Sequence, residues 1–176
     1  MSALNSKTVA LVGLMGVGKS SIGRRLAQAL AMPFRDADAE VELAAGRSIS
    51  EIFSQLGEGA FRDGERRVIA RLLEDPPHVL ATGGGAFINA DTRALIKHKA
   101  VSVWLKADLE VLARRISRRG SRPLVAGKDP LEVLRGQAEA RYPDYEQADI
   151  TVTTGDTAHH VAVEAIIKAL AERVAA

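Results

Sequence analysis

Residues 13–20 read Gly-Leu-Met-Gly-Val-Gly-Lys-Ser, a complete G-x-x-x-x-G-K-[ST] loop, and that motif restricts the fold more than anything else in the chain. A phosphate loop of this kind needs a strand entering it and a helix leaving it, because its N–H donors come from the turn and the first helical turn. Both flanks are present. Thr8-Val9-Ala10-Leu11-Val12 is an apolar, partly β-branched run suited to a buried parallel strand. Beyond the loop, Ile22, Leu26, Ala29 and Leu30 recur at helical spacing, so Gly18-Lys19-Ser20 opens a helix. The candidate phosphate cradle comprises Gly16, Val17, Gly18, Lys19, Ser20 and Ser21. Lys19 would reach the β- and γ-phosphates, and the Ser20 hydroxyl would ligate Mg²⁺.

The rest of the chain alternates strands with helices. A second strand is expected at Met32–Asp36, then a helix over Ala39–Ala45 stopped by Gly46. Ser48-Ile49-Ser50-Glu51 reads as a capping box, and Gly57-Glu58-Gly59 as a break before a longer helix from about Ala60 to Leu73. The third strand, His78–Ala81, runs into Gly83-Gly84-Gly85. A helix over Ala90–His98 and a fourth strand over Ala100–Leu105 follow. Asp108 opens an Arg-rich helix to Arg119, and a polar loop spans Gly120–Lys128. Asp129-Pro130 starts another helix, Asp149–Thr153 is a fifth strand, and Val161–Val174 a closing amphipathic helix. This order predicts an α/β fold, a parallel sheet covered by helices on both faces. Ligands of such sheets bind at the carboxyl ends of the strands. The phosphate loop, Asp36-Ala37-Asp38 and Gly83-Gly84-Gly85 each follow a strand end, so the three are expected to form one site. With no internal repeat, linker or low-complexity stretch, residues 1–176 are expected to form one domain.

Composition narrows the function further. The 24 Lys plus Arg nearly balance the 22 Asp plus Glu, which argues against a general nucleic-acid binder. Without cysteine, disulfides and thiolate metal sites are excluded. His78, His98, His159 and His160 form no metal-ligand pattern and read as incidental. No secretory signal and no run of apolar residues long enough to span a bilayer is apparent, so a cytoplasmic location is expected.

A phosphate loop alone serves kinases, GTPases and motors. The Asn-Lys-x-Asp guanine-reading motif of a GTPase is missing, and the third strand ends in Thr82-Gly83 rather than in a motor's Asp or Asp-Glu. A small-molecule kinase fits better. Phosphoryl transfer to a hydroxyl needs positioning, charge stabilisation and a proton acceptor. Asp36 and Asp38 lie two apart at a strand end, and extended backbone would turn both carboxylates into the cleft. One carboxylate would then serve Mg²⁺ through water and the other the acceptor hydroxyl; Asp38 equally suits a helix N-cap. Arg62 and Arg141 suit an anionic acceptor, since a guanidinium binds a carboxylate through two parallel hydrogen bonds. Arg122 lies in a loop that would close over the triphosphate and bring its charge to the transferring group.

This constellation resembles the shikimate kinases over nearly the whole chain. The resemblance is carried by Gly-Leu-Met-Gly-Val-Gly-Lys-Ser at 13–20, Phe34-Arg35-Asp36-Ala37-Asp38, Phe61-Arg62-Asp63-Gly64-Glu65, Gly83-Gly84-Gly85, Arg122-Pro123-Leu124, and Arg141 followed by Tyr145. It implies a three-layer α/β/α nucleoside-monophosphate-kinase architecture with a five-stranded parallel sheet in the order 2-3-1-4-5. A substrate-binding segment at about 37–65 and a lid at about 117–128 go with it. It further implies MgATP-dependent phosphorylation of the 3-hydroxyl of shikimate on the way to chorismate and the aromatic amino acids, by a monomer. By position, Lys19 and Ser20 bind phosphate and Mg²⁺, Asp36 supports the metal, and Asp38 binds a shikimate hydroxyl and is the base. Arg62 and Arg141 hold the substrate carboxylate, and Gly83, Gly84 and Gly85 line the substrate. Arg122 is the lid arginine on ATP, and Arg115 stacks on adenine. Two departures stand out: Tyr-Pro-Asp-Tyr-Glu-Gln-Ala-Asp follows Arg141, and Thr154-Gly155-Asp156-Thr157 lacks a basic residue that some relatives place near the adenine. A gluconate kinase, a nucleoside-monophosphate kinase and a P-loop binding module without catalysis are the competing readings.

Overall fold

Five strands, β1 (Thr8–Val12), β2 (Phe34–Asp36), β3 (Val79–Ala81), β4 (Ala100–Lys106) and β5 (Ile150–Thr153), form one sheet in the order β2-β3-β1-β4-β5. The computed structural model describes residues 3–118 and 128–176. Every pairing is parallel. β1 is central, and all five of its residues are buried, so its sequence shows no polar alternation. Leu11 is in register with Ala81, and Ala81 with Asp36. The carboxyl ends of β1, β2 and β3 are therefore level, which places the three strand-end motifs along one edge.

Helices α1 (Lys19–Leu30), α2 (Ala37–Ala45), α3 (Ile49–Leu72), α4 (Ala90–Lys99), α5 (Leu109–Arg118), α6 (Pro130–Tyr145) and α7 (His159–Ala175) flank the sheet. The outer layers are tied together by α1 packing on α7, α5 on α6, and α2 on α3. The core runs through Leu11, Ile22, Leu80, Ile96, Leu105 and Leu112, all essentially inaccessible to solvent. Burying each such side chain stabilises the fold by about 1.5–3 kcal/mol.

The local departures from the expected pattern have local causes. In α1, Ala29 is exposed and Ala27 takes the inward position. Residues 31 and 32 close α1 rather than opening β2: Ala31 is left-handed (φ 54°), and the Met32 N–H donates to the Ala27 carbonyl at 2.9 Å. α2 starts two residues early because Asp36, not Asp38, is its N-cap. Asp38 is consequently in the first helical turn, so the extended-strand argument for its direction does not apply. Gly57 (φ 86°, ψ 169°) interrupts α3 where the glycine break was expected, and helix resumes on both sides. Ser48 and Asp129 cap α3 and α6 as read from the sequence. The proposed lid, with Arg122, lies outside the described residues apart from its ends.

Candidate active site

The phosphate loop is held open by its surroundings. Gly13 (φ 147°) passes so close to β4 that a Cβ would stand 2.6 Å from the Leu105 carbonyl oxygen, so only glycine fits. Gly18 caps α1 from a left-handed conformation and supplies no side-chain bond, whereas α2, α3, α4 and α6 are each capped by a side chain. The first-turn N–H groups of α1 thus keep their capacity for an anion. Lys19 folds back over the loop, its Nζ donating to the carbonyls of Gly13 (2.5 Å) and Leu14 (3.0 Å). Ser21 lines the same pocket.

Ser20 and Asp36 meet at the edge of this pocket. Ser20 Oγ donates to Asp36 Oδ2 at 2.7 Å, while Asp36 Oδ1 accepts from the N–H groups of Asp38 (3.0 Å) and Ala39 (3.3 Å). One oxygen is thus fixed in direction by Ser20 of α1 and the other by the start of α2. A hydroxyl and an oriented carboxylate beside a phosphate pocket are hard oxygen donors that fit Mg²⁺, which takes one or two protein ligands and completes its shell with phosphate and water. Among the described residues no group of three or more His, Asp or Glu is placed to hold a metal ion.

A second cavity of about 250 Å³ opens beside the first. Met15, Asp38, Gly83 and Gly84 line both. Ile49, Phe53 and Phe61 from α3 form its apolar wall, the two rings 5.0 Å apart. Arg62 lies over the Phe61 ring, and with Arg141 of α6 it supplies the cationic side. Each glycine of the triplet backs onto a charged side chain. A Cβ on Gly83 would stand 2.6 Å from Glu65 Oε2 and 2.8 Å from Asp38 Oδ1, one on Gly84 3.3 Å from Arg141 Nη1, and one on Gly85 2.6 Å from both Arg62 terminal nitrogens. Asp38, Arg62, Arg141 and the triplet, expected to meet from four parts of the sequence, do meet.

Glu65 and Tyr145, which stand in the quoted motifs without a role assigned to them, shape the site, and Arg115, expected on the adenine, is held beside the phosphate loop. Glu65 is buried, pairs with Arg62 at 3.0 Å, and has its carboxyl pKa raised by burial against the opposing charge of Arg62. Its three-residue spacing from Arg62 on one helix is a readable signal. Tyr145, fully buried, donates its hydroxyl hydrogen to the Gly84 carbonyl; burial raises its pKa to about 12 although Arg141 works against the rise. Arg115 is placed by its edge: Nη1 donates to the carbonyls of Gly16 (3.1 Å) and Val17 (3.4 Å), and Nη2 to Gly155 (2.6 Å). The planar faces of the guanidinium are not consumed by those bonds. Of the four histidines, His78 is buried against Thr8, and His159 stands beside the phosphate loop.

Comparison with known proteins agrees with this geometry. The family model described as shikimate kinase matches residues 15–171. The chain is 73% identical over 170 residues to a shikimate kinase of Caulobacter vibrioides, covering 97% of this chain and 85% of that one. It is 54% identical over 170 residues to a shikimate kinase of Bradyrhizobium diazoefficiens, covering 97% and 82%. The solved structure of the Acinetobacter baumannii shikimate kinase in complex with shikimate superposes with a TM-score of 0.93 at 34% identity, covering 97% of each chain.

Proposed function

The chain belongs to the shikimate kinase family, and we propose that it transfers the γ-phosphoryl group of ATP to the 3-hydroxyl of shikimate, giving shikimate 3-phosphate and ADP in chorismate biosynthesis. The observation that carries this reading is the shared wall of the two pockets. Met15, Asp38, Gly83 and Gly84 face both the phosphate loop and the cavity that holds Arg62 and Arg141. A polyol acid anchored there by its carboxylate presents its hydroxyls toward the γ-phosphate. Its ring lies against Phe53 and Phe61, and its carboxylate meets the two guanidinium groups.

Within that scheme Arg62 and Arg141 orient the acceptor, and Gly84 contacts it through its backbone. A carboxylate oxygen of Asp38 accepts the proton of the attacking hydroxyl, a role supported by its place between the pockets. Lys19 and the first-turn N–H groups of α1 bind the transferring phosphate and its neighbour. Ser20 and Asp36 would hold Mg²⁺; when bound, Mg²⁺ neutralises charge on the β- and γ-phosphate oxygens. Arg122 is assigned the transferring group by its position in the sequence, and Arg115 a face of the adenine.

The test is ADP release from MgATP with shikimate, gluconate or AMP as acceptor. Turnover that depends on shikimate is expected. Turnover with gluconate or AMP alone would overturn the substrate assignment, and silence with all three despite nucleotide binding would favour a binding module.

A further inference from the structure

Asp144 stands in the segment after Arg141 that departs from the family pattern, and the phosphotransfer scheme gives it no part. It lies three residues beyond Arg141 and one before Tyr145 on α6, so the three side chains project from one face of that helix. The face lies against the turn that follows β3. Tyr145 donates to the Gly84 carbonyl, and Arg141 Nη1 is 3.3 Å from where a Cβ on Gly84 would stand. Asp144 reaches the far end of the same turn through another side chain. Its Oδ1 is 3.4 Å from Nη1 of Arg93 in α4, and that nitrogen donates to the carbonyls of Phe87 (3.0 Å) and Ile88 (3.1 Å).

Arg93 thereby closes a 3₁₀ turn, Ala86–Ile88, in which the Ala86 N–H donates to Gly83 and the Ile88 N–H to Gly85, both at 3.2 Å. The two hydrogens of Nη1 are taken by the two carbonyls, so Asp144 pairs with the charge and sets the direction of the guanidinium. The Arg93 side chain is only 16% exposed, which leaves that attraction less screened than at an open surface. A carboxylate in the last turn of α6 opposes the helix dipole, so the helix itself gains nothing from Asp144. Neither residue lines the phosphate pocket or the acceptor cavity. We propose that Arg93, oriented by Asp144, is a positioning residue for the acceptor: it holds the turn that carries the glycine triplet against the helix that carries Arg141. The inference rests on the acceptor reading given above.

Hydrogen exchange in the free protein, with calorimetry of shikimate and of MgADP, separates positioning from stability. Asp144→Ala suits the helix and removes the partner of Arg93. It should speed exchange of the Ala86 and Ile88 amides about three- to tenfold while the β1 amides hold, and weaken shikimate by a similar factor. MgADP affinity should not move. Asp144→Asn, which keeps an oxygen within reach of Arg93, should recover part of both losses. In an Arg93→Met background Asp144→Ala should add nothing, because the carboxylate acts only through the guanidinium. Faster exchange with shikimate affinity unchanged would overturn the proposal, since Arg93 would then serve only the stability of the turn. So would unchanged exchange at Ala86 and Ile88 in Asp144→Ala, or equal losses for shikimate and MgADP. Failure of the unaltered protein to bind shikimate would overturn the acceptor reading itself, and this inference with it.

Discussion

Glu65 holds Arg62 through a 3.0 Å ion pair one helical turn apart, with the carboxylate nearly sealed from solvent and the guanidinium facing the cavity. Burial raises the Glu65 pKa from its ordinary 4.5. As pH falls through the raised value, Glu65 takes up a proton and Arg62 loses the charge that orients it. The KM for shikimate is therefore expected to climb as the solution is acidified through that range. Glu65→Gln should show a KM raised about tenfold, with that pH dependence removed. Stability runs the other way. The folded protein holds the proton to higher pH than the unfolded chain, so the Glu65 contribution is fully present below 4.5 and is lost as pH rises through the folded value. Melting temperatures across pH should show that slope in the unaltered protein and not in Glu65→Gln.

Gly85→Ala tests the steric half of the same arrangement. A Cβ there would lie 2.6 Å from both terminal nitrogens of Arg62, which are already engaged with Glu58 (3.5 Å) and Glu65. Displacing the guanidinium by about an ångström should raise the shikimate KM roughly tenfold or more. MgADP affinity, measured by calorimetry, should not move, because Gly85 does not line the phosphate pocket.

Asp38→Asn keeps the shape of the side chain and removes its capacity to accept a proton. Turnover should fall about 10²–10⁴-fold while MgADP still binds. Substantial residual turnover would move the proton acceptor elsewhere.

The parts of this molecule that sequence made legible are those governed by local rules. The loop at 13–20, the strand before it and the helix after it follow from one motif, and the alternation of elements followed from hydrophobic period and punctuation. Asp36 and Asp38 show where the local rules stop. Asp38 suited an N-cap on paper, but Asp36 Oδ1 accepts from the N–H groups of Asp38 and Ala39 and so starts α2, while its other oxygen is held by Ser20. Tyr145 reaches across 61 residues to Gly84, and His159 across 134 to Arg25. Contacts at such separations leave no periodic trace. Glu65 was readable as an (i, i+3) partner of Arg62, but its burial depends on Gly83 passing over it, which the fold alone reveals.

Ser20→Ala and Asp36→Asn should alter the metal requirement before anything else. Each removes one oxygen donor from the pair at the pocket edge. Half-maximal activity should need several-fold more Mg²⁺ in each variant, with calcium or manganese titrations shifted alike. Asparagine caps a helix about as well as aspartate, so the melting temperature of Asp36→Asn should stay close to that of the unaltered protein.

Tyr145→Phe isolates a bond on which the glycine triplet rests. The phenol is fully buried, donates to the Gly84 carbonyl, and sits 5.7 Å from the Trp104 ring, so Phe keeps the packing and loses only the hydroxyl. Leaving the carbonyl without that donor costs about 1–3 kcal/mol, or roughly 2–4 °C of melting temperature per kcal/mol in a chain of this size. With its pKa raised to about 12, the hydroxyl stays protonated through the working range, so the loss should be the same at pH 6 and pH 9. The shikimate KM should rise with the stability loss, because Gly84 lies between Tyr145 and Arg141. A KM that stayed constant while the protein lost stability would show that the triplet is held by Arg62 and Arg141 without Tyr145.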